Sequence, residues 1–298
     1  MSETFKAGFV AVVGRPNVGK STLINAIVGR KVSIVTSKPQ TTRHRILAVH
    51  TTEDCQVIFV DTPGLHRKAG KAMNRLMNRT AVAALADADL VLYVSDATRF
   101  TDEDADVLKR LESVRAPVVA VLNKVDLVKP KERLLETISR MAARREFEEI
   151  VPLSARKGSN LDALQALVPR FLPESPPLFP PDMVSDRSDD FHAAEIVREK
   201  LTVLLRDEVP YGLTVQIEKY DRDAEGADIG AVIWVERDSQ KGIVVGKGGQ
   251  MLKQVGRAAR LDLKQILGIP VHLELWVKVK DNWADSEKDL VSLGYEST

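Results

Sequence analysis

Residues 14–21 read Gly-Arg-Pro-Asn-Val-Gly-Lys-Ser and follow the apolar run 8–13, Gly-Phe-Val-Ala-Val-Val. The pattern G-x-x-x-x-G-K-[ST] after a buried strand is typical of a loop that cradles phosphate groups. Its glycines let consecutive backbone N–H groups point at phosphate oxygens, and the next helix adds a partial positive charge. Lys20 is predicted to lie between the β- and γ-phosphates, and the Ser21 hydroxyl to bind Mg²⁺. The predicted phosphate-binding residues are Gly14, Arg15, Pro16, Asn17, Val18, Gly19, Lys20 and Ser21.

Length and composition limit the class of protein. The chain has 298 residues, of which 44% are apolar, and this is enough for two domains with ordinary cores. Because Cys55 is the single cysteine, no internal disulfide can form and a reducing compartment is expected. The polar N-terminus and the short apolar runs predict neither a secretory leader nor a membrane span. We therefore expect a cytoplasmic protein, with peripheral contact at the inner face of the cell membrane left open.

The polar stretch 36–45 shows no apolar periodicity. On its own it would be read as a surface loop, but a phosphate loop upstream favours a nucleotide switch. Such a switch needs a threonine whose hydroxyl completes the Mg²⁺ shell and whose N–H contacts the γ-phosphate. Thr41 and Thr42 are both candidates. The predicted first switch contains Gln40, Thr41, Thr42, Arg43 and His44.

A second switch is predicted where the strand-like run 56–60 ends. Asp61 at the carboxyl end of that strand is placed to hold Mg²⁺ through water, and Gly64 can offer an unhindered N–H to the γ-phosphate. The predicted second switch consists of Asp61, Thr62, Pro63, Gly64 and Leu65.

The segment 123–126, Asn-Lys-Val-Asp, indicates which base is bound. The Asp126 carboxylate can accept hydrogen bonds from N1–H and the exocyclic amine of guanine, whereas adenine has no such pair of donors there. An unpaired buried carboxylate costs several kcal/mol, so adenine should be rejected. Asn123 should tie the neighbouring loops together, and the Lys124 stem should lie along the base. Ser154 and Ala155 follow the next strand-like run, where a backbone N–H can reach guanine O6.

Strands and helices alternate through this region, which predicts a doubly wound α/β sheet with its binding turns at one edge. We assign residues 1–172 to this domain. Residues 173–186 contain five prolines and are predicted to form a semi-rigid linker. Residues 187–298 form the second domain and its tail.

The second domain shows an α-β-β-α-β order with Gly-Lys-Gly-Gly at 246–249, which matches the G-x-x-G loop of a KH module. Residues 237–280 carry nine Lys or Arg against three acids, a local excess that suits contact with RNA phosphates. A solvated helix face is the alternative. The predicted RNA-binding residues are Gly246, Lys247, Gly248, Gly249, Lys253 and Arg257. Trp276 and Trp283 are expected to anchor the core.

Together these motifs resemble the Era-like family of bacterial ribosome-assembly GTPases. The resemblance rests on the segments 14–21, 40–44, 61–66, 123–126, 154–155, 246–249 and the tail HLELWVKVK at 272–280. It implies a P-loop GTPase domain with a mixed sheet, followed by a smaller α+β KH domain of type II. It also implies hydrolysis of GTP to GDP with Mg²⁺ and binding of the 3′ end of 16S ribosomal RNA during maturation of the 30S subunit. We expect a monomer.

Leu65 stands where small signalling GTPases carry a glutamine that orients the attacking water, so intrinsic hydrolysis should be slow. Related GTPases with an asparagine in the phosphate loop and a paired threonine use K⁺ in place of an arginine finger. Asn17 and the pair Thr41 and Thr42 fit that pattern, and the resemblance favours Thr42 over Thr41 as the Mg²⁺ ligand. Two alternatives stay open at this point. One is a GTPase of tRNA modification or of a membrane-linked process, with a protein-docking C-terminal domain. The other is an RNA-binding adaptor with a vestigial GTPase domain.

Overall fold

A six-stranded sheet organises the N-terminal domain of the computed structural model, which describes residues 4–64, 71–206 and 209–295. The strand order is β2-β3-β1-β4-β5-β6, with β2 antiparallel to β3 and the other neighbours parallel. The strands are β1 (Lys6–Val13), β2 (Ile46–Thr51), β3 (Cys55–Asp61), β4 (Leu90–Asp96), β5 (Val118–Asn123) and β6 (Glu149–Pro152). The helices are α1 (Lys20–Val28), α2 (Ala72–Ala86), α3 (Asp102–Leu111), α4 (Arg133–Ala142) and α5 (Leu161–Leu167). The predicted mixed doubly wound sheet is confirmed.

The sheet is buried on both faces, as the continuous apolar run in β1 requires. Val10 and Val12 point to one face and pack with α1 and α5. Ala11 and Val13 point to the other face and pack with α2, α3 and α4. Because β1, β3, β4 and β5 are parallel, their carboxyl ends meet at one edge, and the predicted nucleotide motifs follow those ends.

Residues 173–186 lie along the surface of the GTPase domain. The Gln56 side chain in β3 accepts a hydrogen bond of 2.9 Å from the Phe179 backbone and donates one of 2.9 Å to its carbonyl. At the edge strand β2, Val49 N–H donates to the Val184 carbonyl at 2.9 Å. The segment therefore covers a sheet edge that would otherwise expose unpaired backbone groups.

The C-terminal domain is a three-stranded sheet covered on one face by helices. Its order is β7-β8-β9, with β7 antiparallel and β9 parallel to the central strand. The elements are α6 (Asp189–Leu204), β7 (Leu213–Arg222), β8 (Ala227–Val235), α7 (Asp238–Val245), α8 (Gln250–Leu267), β9 (Val271–Val279) and α9 (Glu287–Ser292). Apolar side chains of α6 and α8 pack against the sheet in one core.

The observed order is α-β-β-α-α-β, with one helix more than the sequence predicted. The additional helix is α7, directly before the G-x-x-G loop. Asp238 in its first turn and Gly246 directly after its last residue are ordinary helix boundary signals. The prediction missed α7 because its apolar residues, 243–245, are consecutive and resemble a strand end.

The C-terminal tail packs on the GTPase domain. Trp283 and Tyr295 join Met77 of α2 in a buried cluster. The Asp285 carboxylate accepts a 2.9 Å hydrogen bond from the N–H of Ala72, the first residue of α2. Trp283 is fully buried, as expected, but Trp276 is 45% exposed on the open face of the sheet, so its assignment to the core was wrong.

Among the described residues, no helix has both the length and the apolar character that crossing a bilayer would require.

Candidate nucleotide site and nucleic-acid interface

The phosphate loop connects β1 to α1, and its last glycine lies directly against the predicted guanine motif. Gly19 has φ 100°, and a Cβ there would lie 2.4 Å from Nδ2 of Asn123. The Asn123 amide also donates to the Val18 carbonyl at 2.9 Å. The phosphate loop and the predicted guanine motif are therefore packed against each other, which only glycine at position 19 permits.

Lys20 lies inside the loop, 6% exposed. Its Nζ donates to the carbonyls of Gly14 and Arg15 at 3.1 and 3.2 Å. Burial lowers the pKa of Lys20 to about 8, although the Asp61 carboxylate opposes this shift. A buried ammonium held only by neutral carbonyls and one nearby carboxylate is well suited to gain a phosphate anion.

Three oxygen-bearing side chains from three different segments meet beside Lys20. Ser21 Oγ donates to Asp61 Oδ2 at 2.8 Å and lies 2.9 Å from Thr42 Oγ1. Asp61 is fully buried, and within the described residues its Oδ1 has no hydrogen-bond partner. Burial raises the pKa of Asp61, although the Lys20 ammonium and the hydrogen bond from Ser21 oppose this shift. Hard oxygen donors around a buried carboxylate fit Mg²⁺.

The side chains of the two candidate Mg²⁺ ligands, Thr41 and Thr42, point in different directions. The Thr41 hydroxyl donates to the Lys38 carbonyl at 2.6 Å and lies 2.7 Å from the Thr36 hydroxyl. It therefore closes a turn within the switch, while Thr42 points at Ser21. The Gln40 side chain donates to Asn74 of α2 at 3.1 Å.

Of the second switch, the structure describes residues 61–64. The Thr62 hydroxyl donates to the Val12 carbonyl at 3.0 Å, which fixes the turn to β1. At Gly64 a Cβ would lie 2.9 Å from the Pro16 ring, so this backbone runs against the phosphate loop. Leu65 lies outside the described residues.

The predicted base-binding residues are joined by side-chain hydrogen bonds. Asn123 Oδ1 accepts from the backbone N–H of Ala155 at 3.0 Å, and Ser154 Oγ donates to Asp126 Oδ1 at 2.6 Å. The Ala155 N–H is thus engaged by Asn123 here. Phosphate loop, first switch and base motif line one cavity of about 720 Å³.

Two features of this site were missed by sequence reasoning. Lys124 Nζ donates to Asp96 Oδ2 at 2.8 Å. Burial raises the pKa of Asp96, but hydrogen bonds from Lys124 and Thr98 outweigh it and hold the pKa below its usual range. The Arg15 side chain turns away from the loop and donates to buried Asp104 at 2.8 Å. Arg15 therefore offers the nucleotide its backbone only. The position of Asp96 at the carboxyl end of a buried strand was an available signal.

Arg43 and His44 turn away from the nucleotide cavity and into the KH domain. The buried Arg43 guanidinium donates to the carbonyls of Leu213 and Pro210 at 2.7 and 2.9 Å. The His44 ring stacks on Tyr295, with ring centroids 4.4 Å apart. The first switch therefore has a nucleotide side and a KH side.

The predicted RNA-binding residues lie on one exposed surface. Lys247 is exposed within the G-x-x-G loop, and Lys253 and Arg257 are exposed one turn apart on α8. Among the described residues, none of these three cations has a carboxylate partner. Gly248 has φ 60° and open space around its Cα, so the loop backbone can approach a ligand closely.

The fold and site together define a P-loop GTPase joined to a KH module. The family described as 50S ribosome-binding GTPase matches residues 9–124, and the KH domain family matches residues 208–284.

The chain belongs to the Era family of GTPases. It is 50% identical over 296 residues to GTPase Era of Vibrio vulnificus strain YJ016, covering 99% of this chain and 92% of that protein. It is also 50% identical over 289 residues to GTPase Era of Coxiella burnetii strain Dugway 5J108-111, covering 97% and 98%. The predicted family and GTPase class are confirmed.

Two solved structures resemble the whole chain. One is a crystal structure of Era in complex with MgGDPNP and nucleotides 1506–1542 of 16S ribosomal RNA, with TM-score 0.94, 41% identity and coverage of 98% of this chain and 100% of that one. The other is an Aquifex aeolicus Era variant bound to GDP and AlF4⁻, with the same TM-score, identity and coverage. The predicted GTPase and KH fold is therefore confirmed over nearly the full length.

Proposed function

We propose that this GTPase couples its nucleotide state to binding of the 3′ end of 16S ribosomal RNA and acts in maturation of the 30S subunit. The observation that carries the proposal is that one segment, 40–44, contacts both the nucleotide cavity and the KH domain. Thr42 meets Ser21 on one side, while Arg43 holds carbonyls of the KH domain on the other. A change at the γ-phosphate position can therefore reach the RNA-binding domain directly.

At the nucleotide, Ser21 and Thr42 would hold Mg²⁺ directly and Asp61 through water. The ion would neutralise charge on the β- and γ-phosphate oxygens. Lys20 adds a second cation, while Gly64 offers its N–H to the γ-phosphate. The Ser21 hydroxyl already lies within hydrogen-bond distance of both Thr42 and the buried Asp61, which supports this assignment.

For the base, Asp126 is the proposed acceptor for guanine N1–H and the exocyclic amine. Ser154 orients it through the 2.6 Å hydrogen bond, and Asn123 fixes the loops around it. Lys124, held by Asp96, covers the base position with its stem. These contacts favour guanine because adenine does not present this pair of donors to the Asp126 carboxylate.

Hydrolysis is proposed to depend on positioning and electrostatics. Asn17 is the proposed ligand for K⁺, which would supply positive charge where other GTPases use an arginine finger. The Asn17 amide donates to the Ser37 carbonyl at 2.8 Å, which links the phosphate loop to the polar segment just before the first switch. Asn17 would therefore hold the cation close to both segments.

The KH surface supplies the RNA site. The G-x-x-G loop at 246–249 would clamp the RNA backbone, and Lys247, Lys253 and Arg257 would contact phosphates. We propose the domain division 1–172, 173–186 and 187–298, a monomeric protein, and a cytoplasmic location with peripheral contact at the inner membrane face.

Filter binding tests the RNA proposal. Oligonucleotides of the 16S ribosomal RNA 3′ end and a tRNA are compared with protein in GTP-analogue, GDP and nucleotide-free forms. We expect preference for the ribosomal RNA and an affinity that changes with the nucleotide. Equal affinity for tRNA would instead favour a GTPase of tRNA modification, and equal affinity in all three nucleotide states would contradict the coupling.

A further inference from the structure

Helix α6 of the KH domain presents a buried ion pair to the first switch. Arg198 is 1% exposed and Glu195 is 7% exposed. The Nε and Nη2 groups of Arg198 donate to the two Glu195 carboxylate oxygens, each at 2.6 Å. The same Nη2 group also donates to the backbone carbonyl of Thr41. The guanidinium thus bridges the KH helix and the switch backbone.

The carbonyl that Arg198 holds belongs to the peptide group between Thr41 and Thr42. Because a peptide group is planar and trans, fixing its carbonyl also fixes the direction of the Thr42 N–H, which points the opposite way. It also fixes the starting point of the Thr42 side chain, whose hydroxyl lies 2.9 Å from Ser21 Oγ. One hydrogen bond from the KH domain therefore orients both groups of Thr42 that a bound γ-phosphate and Mg²⁺ would use.

The pairing with Glu195 gives this contact its rigidity. A planar guanidinium held by two parallel hydrogen bonds has one orientation, which a lysine could not reproduce. Glu199, which directly follows Arg198 in α6, holds the chain just before the switch. Its carboxylate accepts from Val35 N–H at 2.9 Å and from Lys31 Nζ at 2.6 Å. Lys31, Val35 and Thr41 are therefore all held by side chains of α6.

We propose that Arg198, oriented by Glu195, is a positioning residue for GTP hydrolysis, supplied by the KH domain to hold the Thr41–Thr42 peptide in place. The inference rests on the proposed role of Thr42. It adds that the GTPase site is complete only when α6 is docked, so that movement of the KH domain changes turnover.

The test compares kcat and nucleotide affinity in full-length variants. Arg198→Met leaves Glu195 buried and unpaired, so the variant Glu195→Leu with Arg198→Met is the main test because it removes both buried charges. Arg198→Lys keeps the charge without the two-pronged geometry. The matched control is Arg222→Met, which removes the exposed ion pair between Arg222 and Asp189 of the same helix, 2.7 Å long. Tryptophan fluorescence during thermal denaturation checks folding.

We expect kcat to fall at least tenfold in the double variant and less in Arg198→Lys, since hydrogen bonds from charged groups contribute on this scale. GDP affinity should stay within about twofold, because GDP has no γ-phosphate for Thr42 to contact. Arg222→Met should match the parent protein in both measurements. A merely structural role would instead lower GDP affinity and folding temperature without a selective fall in kcat.

Thr42→Ala separates this inference from the site assignment. If Thr42→Ala hydrolyses GTP normally, the proposed role of Thr42 fails and the inference fails with it. If Thr42→Ala is impaired while the folded double variant keeps kcat within twofold, the Mg²⁺ site stands and the positioning role of Arg198 is refuted. Should the double variant not fold, Arg198→Lys with unchanged kcat overturns the inference equally.

Discussion

Acidification should loosen the contact between the first switch and the KH domain, and His44 is the group responsible. Its ring stacks on Tyr295 and packs edge-on against Phe191. Burial lowers the pKa of His44 from 6.5 to about 4, with the neighbouring cations Arg198, Arg187 and Arg43 adding to the shift and Glu195 opposing it. His44 is therefore neutral in the folded protein near pH 7.

The size and sign of the effect follow from proton linkage. Between pH 6.5 and about pH 4 the unfolded chain binds a proton at His44 and the folded chain does not. Folding stability must therefore fall as the pH falls through this window. The full shift corresponds to about 3 kcal/mol, and going from pH 7 to pH 5 accounts for about 2 kcal/mol of it. Because part of the His44 side chain remains accessible to water, these values are upper limits.

Urea unfolding at pH 7 and pH 5 measures this effect, with His44→Phe as the comparison. Phenylalanine keeps an aromatic ring beside Tyr295 but cannot take up a proton. All three tryptophans, Trp234, Trp276 and Trp283, lie in the C-terminal domain, so their fluorescence follows the domain that His44 contacts. The variant should lose less stability on acidification than the parent, by up to about 2 kcal/mol. If both proteins lose the same stability, His44 is protonated without penalty and does not control this contact.

Three further predictions concern the nucleotide and RNA sites. Asp126→Asn should weaken GTP binding roughly tenfold to a hundredfold and favour xanthosine triphosphate, whose O2 can accept from the new amide; competition binding that still prefers GTP would refute the base assignment. Gly248→Asp should lower RNA affinity at least tenfold and leave GTPase activity intact, because it adds a negative charge beside the phosphates at a position with φ 60°. Gly268→Asp, at the other end of α8 with φ 71°, is the matched control, and RNA binding that survives at position 248 would place the clamp elsewhere. Replacing K⁺ by Na⁺ should slow turnover roughly tenfold or more, and Asn17→Ala should remove that difference; equal rates of the parent protein in both salts would exclude Asn17 from the mechanism.

The sequence was most informative where local chain geometry decides the structure. The strand before residues 14–21 and the helix after them follow from the apolar run and the loop itself. The parallel order then brings the ends of β3 and β5, with Asp61 and Asn123, to the same edge of the sheet as that loop. The fold class and the location of the nucleotide cavity could therefore be predicted from motif order alone.

Contacts between the domains could not be predicted in this way. Arg43 binds the backbone carbonyls of Leu213 and Pro210, and a carbonyl has no sequence signature. The linker was predicted as a semi-rigid spacer from its prolines, but composition could not reveal that it lies along the edge of β2. The exposure of Trp276 was missed for a related reason: alternation along β9 identifies two faces but does not show which one the helices cover.

The first switch shows why a polar segment without periodicity was difficult to interpret. Its residues contact two surfaces. The Thr42 side chain contacts Ser21 of the nucleotide cavity, while the buried guanidinium of the next residue, Arg43, donates to a backbone carbonyl of the KH domain. Neither surface alone imposes a helical or strand-like period on the segment. A displacement at either surface must pass through the peptide group between Thr42 and Arg43 and through the peptide group between Thr41 and Thr42. The segment therefore lacks a pattern because it is held between two domains, and the same contacts give the domains a direct path by which they can influence each other.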